Sequence, residues 1–153
     1  MLFLLFEIGE DRYCLDVSRV IEVAPIVAFK KLPYAPAYVS GLMNYRGTTV
    51  PVIDLSALLG ATPSRPLFST RIIMVDFTGA DNTHHVIGLL AEKVTETISR
   101  REDDFQPPGI VVDEARFLGK IIHDERGMIQ RVETTQLLPE SMQKYLFAAK
   151  EEQ

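Results

Sequence analysis

The segment that most constrains the fold is residues 32–60, LPYAPAYVSGLMNYRGTTVPVIDLSALLG. Within it, the strand-like residues Leu42–Tyr45 and the β-branched run Thr48–Ile53 are separated only by Arg46 and Gly47. A two-residue connection between two such runs predicts a β-hairpin, and Gly47 is suited to a positive φ in its turn. The middle of the segment is therefore expected to be two antiparallel strands that display Arg46 at their tip.

The ends of the same segment carry boundary signals. Pro33 and Pro36 open it as a loop, because proline fixes its own φ and restricts the preceding residue. After the second strand, Asp54 precedes the short apolar stretch Leu55–Leu59, which predicts a helical turn with an aspartate N-cap. Gly60 then ends that turn.

The rest of the chain is predicted to consist mainly of short strands. Turn residues recur at short intervals between β-branched or alternating runs, which favours small barrels or a sandwich. The expected strands comprise three further hairpins and one half-buried strand: Leu2–Ile8 with Arg12–Leu15, Thr70–Phe77 with Thr83–Ala91, Phe117–Ile122 with Met128–Val132, and Val94–Ile98.

Two helices are predicted outside the 32–60 segment. Val17, Val20 and Ile21 have the i, i+3, i+4 spacing of a short helix, which Asp16 would cap and Pro25 would end. Residues 140–150 are rich in helix formers, and their apolar set suits a terminal helix that docks on the core.

A weak internal repeat suggests two similar units. Each half contains a strand hairpin, a Val-x-Glu segment, prolines, a glycine, an Arg-Gly turn and a Leu-Leu pair, in that order. The Arg46–Gly47 turn corresponds to Arg126–Gly127, and Glu22 corresponds to Glu96. We infer two similar β subdomains that pack together within residues 1–153, with no linker polar enough to separate them.

Size and charge exclude several classes of function. The chain has 153 residues and a net charge of −5, so it forms one domain with no basic surplus for nucleic-acid binding. Its single cysteine rules out an internal disulfide and fits a reduced, cytoplasmic setting. The apolar run at Met1 is broken by Glu7, far short of the ~20 residues needed to span a bilayer, so direct membrane insertion is not expected.

Candidate catalytic residues are few. Cys14 lies in a predicted strand without a nearby His or basic cluster, so a buried hydrophobic role is favoured over a nucleophile. His84 and His85 are neighbours in a strand and point to opposite faces, which prevents both from binding one metal. His123 lies in a turn. No phosphate-binding loop, nucleophile elbow or zinc motif is present, and we expect neither a metal nor a cofactor.

Interaction residues are better represented. Arg46 on a rigid turn is either a recognition group, which presents five N–H donors in a fixed fork, or simply the solvated residue of a hairpin. Val20 and Glu22 flank an apolar face. Either they are interaction residues, or Val20 packs in the core and Glu22 is a solvated charge. Tyr34, Tyr38 and Tyr45 surround the prolines and form either core caps or an exposed binding patch.

Several of these motifs together resemble the CheW family, the coupling proteins of bacterial chemosensory systems. FEIGEDRYCLDV (residues 6–17) is similar to the family's first hairpin, and Val20-Ile-Glu22-Val to its Val-x-Glu segment. Residues 32–55 resemble the family's signature, in which the prolines, Gly41, Asn44, Arg46, Gly47 and Asp54 have the same joint spacing. VIGLLAEKV (residues 86–94) is similar to the second hairpin, with Glu92 where Asp is usual.

The resemblance implies two SH3-like five-stranded β-barrels around a shared hydrophobic core, with short helices and a C-terminal helix. It also implies a non-catalytic adaptor that binds the regulatory domain of a CheA-type histidine kinase and the cytoplasmic tip of a chemoreceptor, in the cytoplasm at membrane-bound receptor arrays. Val20, Glu22 and Arg46 match family positions implicated in partner binding, and Asn44 and Gly47 complete the turn. A receptor tip is expected to lie in the cleft between the barrels, with Arg46 near its polar edge.

Two departures from the family pattern indicate a divergent member. Tyr45 replaces the usual Leu before Arg46, and the late strand contains Gln130, Arg131 and Glu133 where the family is apolar. The alternatives are therefore an adaptor of a non-flagellar system, with output to surface sensing, pili or a second messenger, and an adaptor that regulates something other than a kinase. A competing class is a β-barrel enzyme or small-ligand- or metal-binding protein that uses His84, His85 or His123.

Overall fold

The computed structural model describes residues 1–151 and contains nine β-strands and two α-helices. The elements are β1 (Leu2–Ile8), β2 (Asp11–Asp16), β3 (Val20–Pro25), β4 (Val39–Tyr45), β5 (Thr48–Asp54), α1 (Leu55–Leu58), β6 (Arg71–Thr78), β7 (His84–Ser99), β8 (Leu118–Asp124), β9 (Gly127–Val132) and α2 (Glu140–Glu151). Short 3₁₀ helices span Val17–Arg19, Glu102–Asp104, Asp113–Ala115 and Thr134–Gln136.

The 32–60 segment folds as its sequence predicts. β4 and β5 form an antiparallel hairpin whose turn residues, Arg46 and Gly47, have φ of 51° and 84°. Positive φ at both positions gives the turn a twist that matches the right-handed twist of the strands. The Asp54 side chain caps α1 by accepting from the backbone N–H of Ser56 at 3.0 Å. Gly60 follows the helix with a φ of 77°.

Two five-stranded SH3-like sheets share the 16-residue strand β7. Its N-terminal part, through Ala91, pairs with β6 and β5 in the sheet β3-β6-β7-β5-β4. Its C-terminal part, from Glu92, pairs with β1 in the sheet β7-β1-β2-β9-β8. The change of sheet coincides with Lys93, whose φ is 51°. We call the unit that contains β3, β4, β5 and β6 the first unit, and the other the second unit.

The two sheets have the same strand order, which confirms the internal repeat. Each sheet has three antiparallel pairs and one parallel pair, which is β5 with β7 in the first unit and β9 with β2 in the second. Each unit takes strands from both halves of the chain, because β1 and β2 join the second unit and β6 joins the first. The Arg46–Gly47 turn therefore has a structural counterpart at the end of the β8–β9 hairpin.

Two secondary-structure predictions were wrong. Val20 and Ile21 do not continue a helix: only Val17–Arg19 is helical, capped by Asp16 as expected, and Val20–Pro25 is strand β3. Pairing with β6 determines this conformation, and such a distant partner overrides local periodicity. Val94–Ile98 is not a separate strand but the second part of β7, continuous with the preceding hairpin strand.

The main core lies between the two units and contains residues from both. Phe6 and Leu15 of the second unit pack with Ile53, Ile73 and Leu89 of the first, all nearly inaccessible to solvent. Helix α2 docks on this core as predicted, through Met142, Leu146 and Phe147. In residues 1–151, no helix is long and apolar enough to cross a membrane.

Candidate functional site

The predicted site residues meet at one corner of the first unit, where the tip of the β4–β5 hairpin approaches strand β3. We call Val20, Glu22, Asn44, Arg46 and Gly47 the Arg46 corner. Glu22 comes from β3, Asn44 is the next-to-last residue of β4, and Arg46 and Gly47 form the turn. The chain thus brings four of these residues together around one ion pair, although 24 positions separate Glu22 from Arg46.

One oxygen of Glu22 organises the corner. Glu22 Oε1 accepts a hydrogen bond from the Tyr45 hydroxyl at 2.5 Å and one from Arg46 Nη2 at 3.0 Å. The guanidinium of Arg46 also lies over the Tyr45 ring, 5.2 Å from its centroid. The hydrogen bond to Glu22 raises the pKa of the Tyr45 hydroxyl above its ordinary value. Tyr45, Arg46 and Glu22 therefore hold one another in a fixed arrangement.

Arg46 remains accessible despite these contacts. Its side chain is 73% exposed and that of Glu22 is 39% exposed. An ion pair this exposed contributes only ~0–1 kcal/mol to folding, because water and salt screen it. Its guanidinium uses one donor in this pair, so the other donors can reach a partner without disturbing the core.

The turn that carries Arg46 is held by Asn44. Its Oδ1 accepts from the backbone N–H of Gly47 at 2.8 Å, which is the local side-chain bond that Asn makes in turns. Arg46 itself takes a positive φ, a conformation that non-glycine residues adopt only with support from their surroundings. Asn44 and Gly47 consequently act on Arg46 through the backbone.

Val20 differs from the other corner residues because it packs inward. It is half-buried against the main core, opposite Val75 of β6. The β3–β6 register shifts between Val20 and Glu22, which indicates a bulge at this point. Val20 therefore anchors the strand that presents Glu22.

Sequence reasoning missed an apolar strip beside the corner. Ile21, Val23, Ile26 and Val27 are between 37% and 47% exposed, on or directly after β3, which is an edge strand. The signal was present in the β-branched run, but the helical prediction for Val20 and Ile21 concealed the alternation of exposed and half-buried residues. Tyr45 was expected to be a core cap or part of an exposed patch, and its hydrogen bond to Glu22 was not foreseen.

The cleft between the units does not border Arg46, contrary to the expectation. A cavity of about 810 Å³ lies between them, lined on one side by Tyr38 and Leu58 and on the other by Phe117 and Leu137. These residues lie at the base of the β4–β5 hairpin and beyond it, whereas Arg46 is at its tip. We call this cavity the inter-unit cleft.

The candidate catalytic residues Cys14, His84 and His85 each have different surroundings. Cys14 is completely buried, and burial raises the pKa of its thiol to about 12. His84 pairs with Asp76 at 3.2 Å, whereas His85 stacks on Phe147. Over residues 1–151, no three His, Cys, Asp or Glu side chains are grouped as a metal site would require.

The polar late strand serves internal packing. Arg131 is 12% exposed, and its guanidinium lies 5.1 Å from the Phe3 ring centroid and 5.4 Å from that of Phe105. It makes ion pairs with Glu102 at 2.7 Å and Glu133 at 3.3 Å. This departure from the family pattern therefore changes mainly the interior of the second unit.

Comparison with known proteins identifies one family. The model of the CheW-like domain matches residues 2–142. The chain is 32% identical to the chemotaxis protein CheW of Rhizobium meliloti over 136 residues, 88% of this chain and 84% of that protein. It is 29% identical to the protein FrzA of Myxococcus xanthus over 113 residues, 74% of this chain and 68% of FrzA. The crystal structure of the scaffolding protein TtCheW from Thermoanaerobacter tengcongensis matches with a TM-score of 0.79 and 31% identity, covering 90% of this chain and 87% of that one.

Proposed function

The chain belongs to the CheW-like domain family, and from this membership we propose that it is a non-catalytic adaptor that couples chemoreceptors to a CheA-type histidine kinase. It binds the regulatory domain of the kinase and the cytoplasmic tip of the receptor, and it works in the cytoplasm at receptor arrays. Residues 1–153 act as a single domain of two intertwined subdomains, because strand β7 continues from one sheet into the other.

The observation that carries this proposal is the Arg46 corner. A recognition arginine has to be exposed, yet it loses less entropy on binding if its position is already set. Arg46 meets both conditions: it is 73% exposed, and Glu22, the Tyr45 ring and its own turn hold it. An arginine of this kind suits a carboxylate or a helix C-terminus of a partner.

The exposed strip on β3 supplies the apolar part of the same surface. Specific interfaces combine an apolar centre with a polar rim, and arginine is enriched in them. Ile21 and Val23 flank Glu22 along β3 and are 47% and 41% exposed. With Arg46 at its rim, this strip combines the apolar and the charged groups that a partner surface would contact.

Coupling also requires that two partners bound to one adaptor affect each other. The two units share β7 and the main core, so a displacement in one unit is passed to the other through packed side chains. No catalytic step enters this mechanism: the adaptor acts by binding both partners and fixing their relative positions.

The charge reversal Arg46→Glu tests the proposal. We expect the affinity for the receptor tip to fall by roughly tenfold or more, because the substitution places a second carboxylate beside Glu22 and removes the donor fork. Thermal stability should change little, since the exposed Arg46–Glu22 pair contributes at most ~1 kcal/mol. Binding of both the receptor tip and the kinase regulatory domain is measured by titration calorimetry.

The matched control is Arg101→Glu, which reverses a charge that is 82% exposed and lies in the second unit. It should leave both affinities unchanged. If Arg46→Glu binds both partners as the wild type does, Arg46 has no role in coupling. If the wild-type protein binds neither partner, the adaptor function itself is refuted.

A second candidate is an adaptor of a chemosensory system other than flagellar chemotaxis. The Tyr45 hydroxyl favours it, because its bond to Glu22 makes the corner bulkier and more polar than the family's usual leucine does. Titration against regulatory domains from several chemosensory kinases of one organism distinguishes the two, since the cognate system should bind at least tenfold more tightly than the others.

A further inference from the structure

A second exposed feature lies on the first unit, at the loop between α1 and β6. Phe68 in this loop is 100% exposed, although its neighbours are firmly held. A phenyl ring left in water forgoes the favourable free energy that its burial would contribute. The residues around Phe68 must therefore be ordered by other contacts, and the question is what the ring contacts in a complex.

The 61–70 loop is anchored at both ends by buried polar residues. Asp54, 4% exposed, accepts from the backbone N–H of Ser64 at 2.9 Å and from its hydroxyl at 2.7 Å. Glu92 accepts from the backbone N–H of Arg65 at 3.1 Å and from its guanidinium at 2.8 Å. The Thr70 hydroxyl donates to the Arg65 carbonyl at 2.6 Å. The loop thus presents Phe68 in a fixed position, and binding would not have to order it first.

The surroundings of Phe68 are basic in a chain whose net charge is −5. Between Asp54 and Asp76 the only charged residues are Arg65 and Arg71. Arg71 donates from its guanidinium to the Phe68 carbonyl, and in residues 1–151 it forms no ion pair. The ring therefore projects beside an uncompensated positive charge, which favours an apolar pocket with a carboxylate rim.

The inter-unit cleft has this chemistry. Its apolar lining includes Leu58, Phe117, Leu137 and Leu138, and its volume of about 810 Å³ exceeds what one phenyl ring needs. Three carboxylates line it, against a single guanidinium: those of Asp113, Glu114 and Glu140, against that of Arg116. Asp113 pairs with Arg116 at 3.1 Å and Glu140 with Lys144 at 4.0 Å, but the Asp113 and Glu140 side chains are 80% and 68% exposed, so an incoming cation can still approach them.

We propose that the chain self-associates by inserting Phe68 of one copy into the inter-unit cleft of a second copy, with Arg71 facing the carboxylates of that cleft. We call the Phe68 side chain the knob. The knob and the inter-unit cleft are formed by different residues, so the contact is heterologous, and each copy has one knob and one cleft. The contact involves neither Arg46 nor Glu22, so it can be tested separately from the Arg46 corner.

A second large groove is a poorer partner for Phe68. It has a volume of about 790 Å³ and lies between the exposed residues Ile110 and Val111 and strand β8. Arg116 and Lys120 line it, and Glu133 is its only carboxylate. Arg71 would meet like charges there, which opposes docking.

Sedimentation of the purified full-length chain tests the proposal. The weight-average mass should rise as the protein concentration increases from about 5 to about 500 μM, as for a weak interface. At high salt the rise should be less steep, because screening weakens the charge contacts. Phe68→Ala should raise the dissociation constant by roughly tenfold or more. Asp113→Asn combined with Glu114→Gln should weaken self-association as well.

Two matched controls distinguish this contact from non-specific association. Tyr34→Ala removes another fully exposed aromatic ring, and Asp103→Asn neutralises a carboxylate that is 86% exposed and outside the cleft. Neither should change the dissociation constant.

A mixing experiment tests the pairing itself. The Phe68→Ala variant keeps an intact cleft, and the Asp113→Asn, Glu114→Gln variant keeps an intact Phe68. An equimolar mixture of the two should therefore associate, although neither variant associates alone. A wild-type chain that is monomeric over the whole range, an unaffected Phe68→Ala variant, or a mixture that stays monomeric would each overturn the proposal.

Discussion

The ion pair between Arg12 and Asp124 allows a quantitative prediction about stability. Arg12 Nη1 donates to Asp124 Oδ2 at 2.8 Å, and Nη2 donates to Oδ1. Asp124 Oδ1 also accepts from the backbone N–H of Arg126 at 2.8 Å, and thereby holds the turn between β8 and β9. The side chains are 10% and 25% exposed, so solvent screens this pair far less than the Arg46–Glu22 pair.

The substitution Asp124→Asn should destabilise the fold by about 2 kcal/mol. Each hydrogen bond to a charged group contributes about 1.5–3 kcal/mol, and Asn keeps one acceptor while its NH₂ group faces the Arg12 donors. Arg12 would also be left largely buried without a counter-charge, which adds to the cost. For a domain of this size, the loss corresponds to a fall in melting temperature of about 4–8 °C.

The pH dependence gives an independent check on the same pair. Hydrogen bonds from Arg12 hold the pKa of Asp124 well below its usual range, whereas the unfolded value is about 3.9. A carboxylate with a depressed folded pKa stabilises the protein above its unfolded pKa, and this contribution is lost as the pH falls toward the folded pKa. The difference between wild type and variant should therefore be constant from about pH 7 to pH 5 and shrink below about pH 4.

Urea denaturation, followed by circular dichroism at several pH values, measures both quantities. Asp103→Asn is the matched control, because its side chain is 86% exposed and the substitution should change stability by less than about 0.5 kcal/mol. The reasoning is wrong if Asp124→Asn is as stable as the wild type at neutral pH, or if the difference grows on acidification.

Two further predictions concern the interior. The Cys14 thiol is buried and its pKa is raised to about 12. It should therefore not react with maleimide in the native protein at about pH 8, but should react fully in urea. Rapid labelling of the native protein would contradict its burial. Gly41→Ala should cost about 2 kcal/mol or more by urea denaturation, because its Cβ would lie 2.5 Å from the Lys30 carbonyl oxygen. The control is Gly60→Ala, where an added Cβ would meet no atom within 4 Å. Its positive φ should cost only about 1 kcal/mol of stability. Equal losses of stability in the two variants would show that the close approach at Gly41 is relieved.

The parts of the fold that could be predicted from sequence are those determined locally. The β4–β5 hairpin depends on Arg46 and Gly47 taking positive φ, and the start of α1 on the Asp54 side chain, so each follows from neighbouring residues. The strand order could not be predicted in this way. Which hairpin joins which sheet depends on pairings such as that of Arg12 with Ile129, which lie over a hundred positions apart.

The errors have the same physical origin. Val20 and Ile21 were predicted as helical from a local i, i+3, i+4 pattern, but β6 supplies hydrogen-bond partners that make the strand more favourable. The continuity of β7 through Lys93 depends on the two sheets meeting there, and no local residue signals it. Likewise, the predicted residues Glu22 and Arg46 do meet, whereas the apolar strip beside them became visible only when β3 proved to be an edge strand.

Each unit has one arginine–carboxylate pair next to a hairpin turn, and burial separates their roles. In the second unit the pair is Arg12 with Asp124, at 10% and 25% exposure, and its removal should cost stability. In the first unit it is Arg46 with Glu22, at 73% and 39%, and its removal should cost almost none. Because an interaction that contributes little to folding can be exchanged for one with a partner at little cost, the exposed corner suits recognition and the buried one suits structure. Residue type alone does not make this distinction, since both pairs join an arginine to a carboxylate.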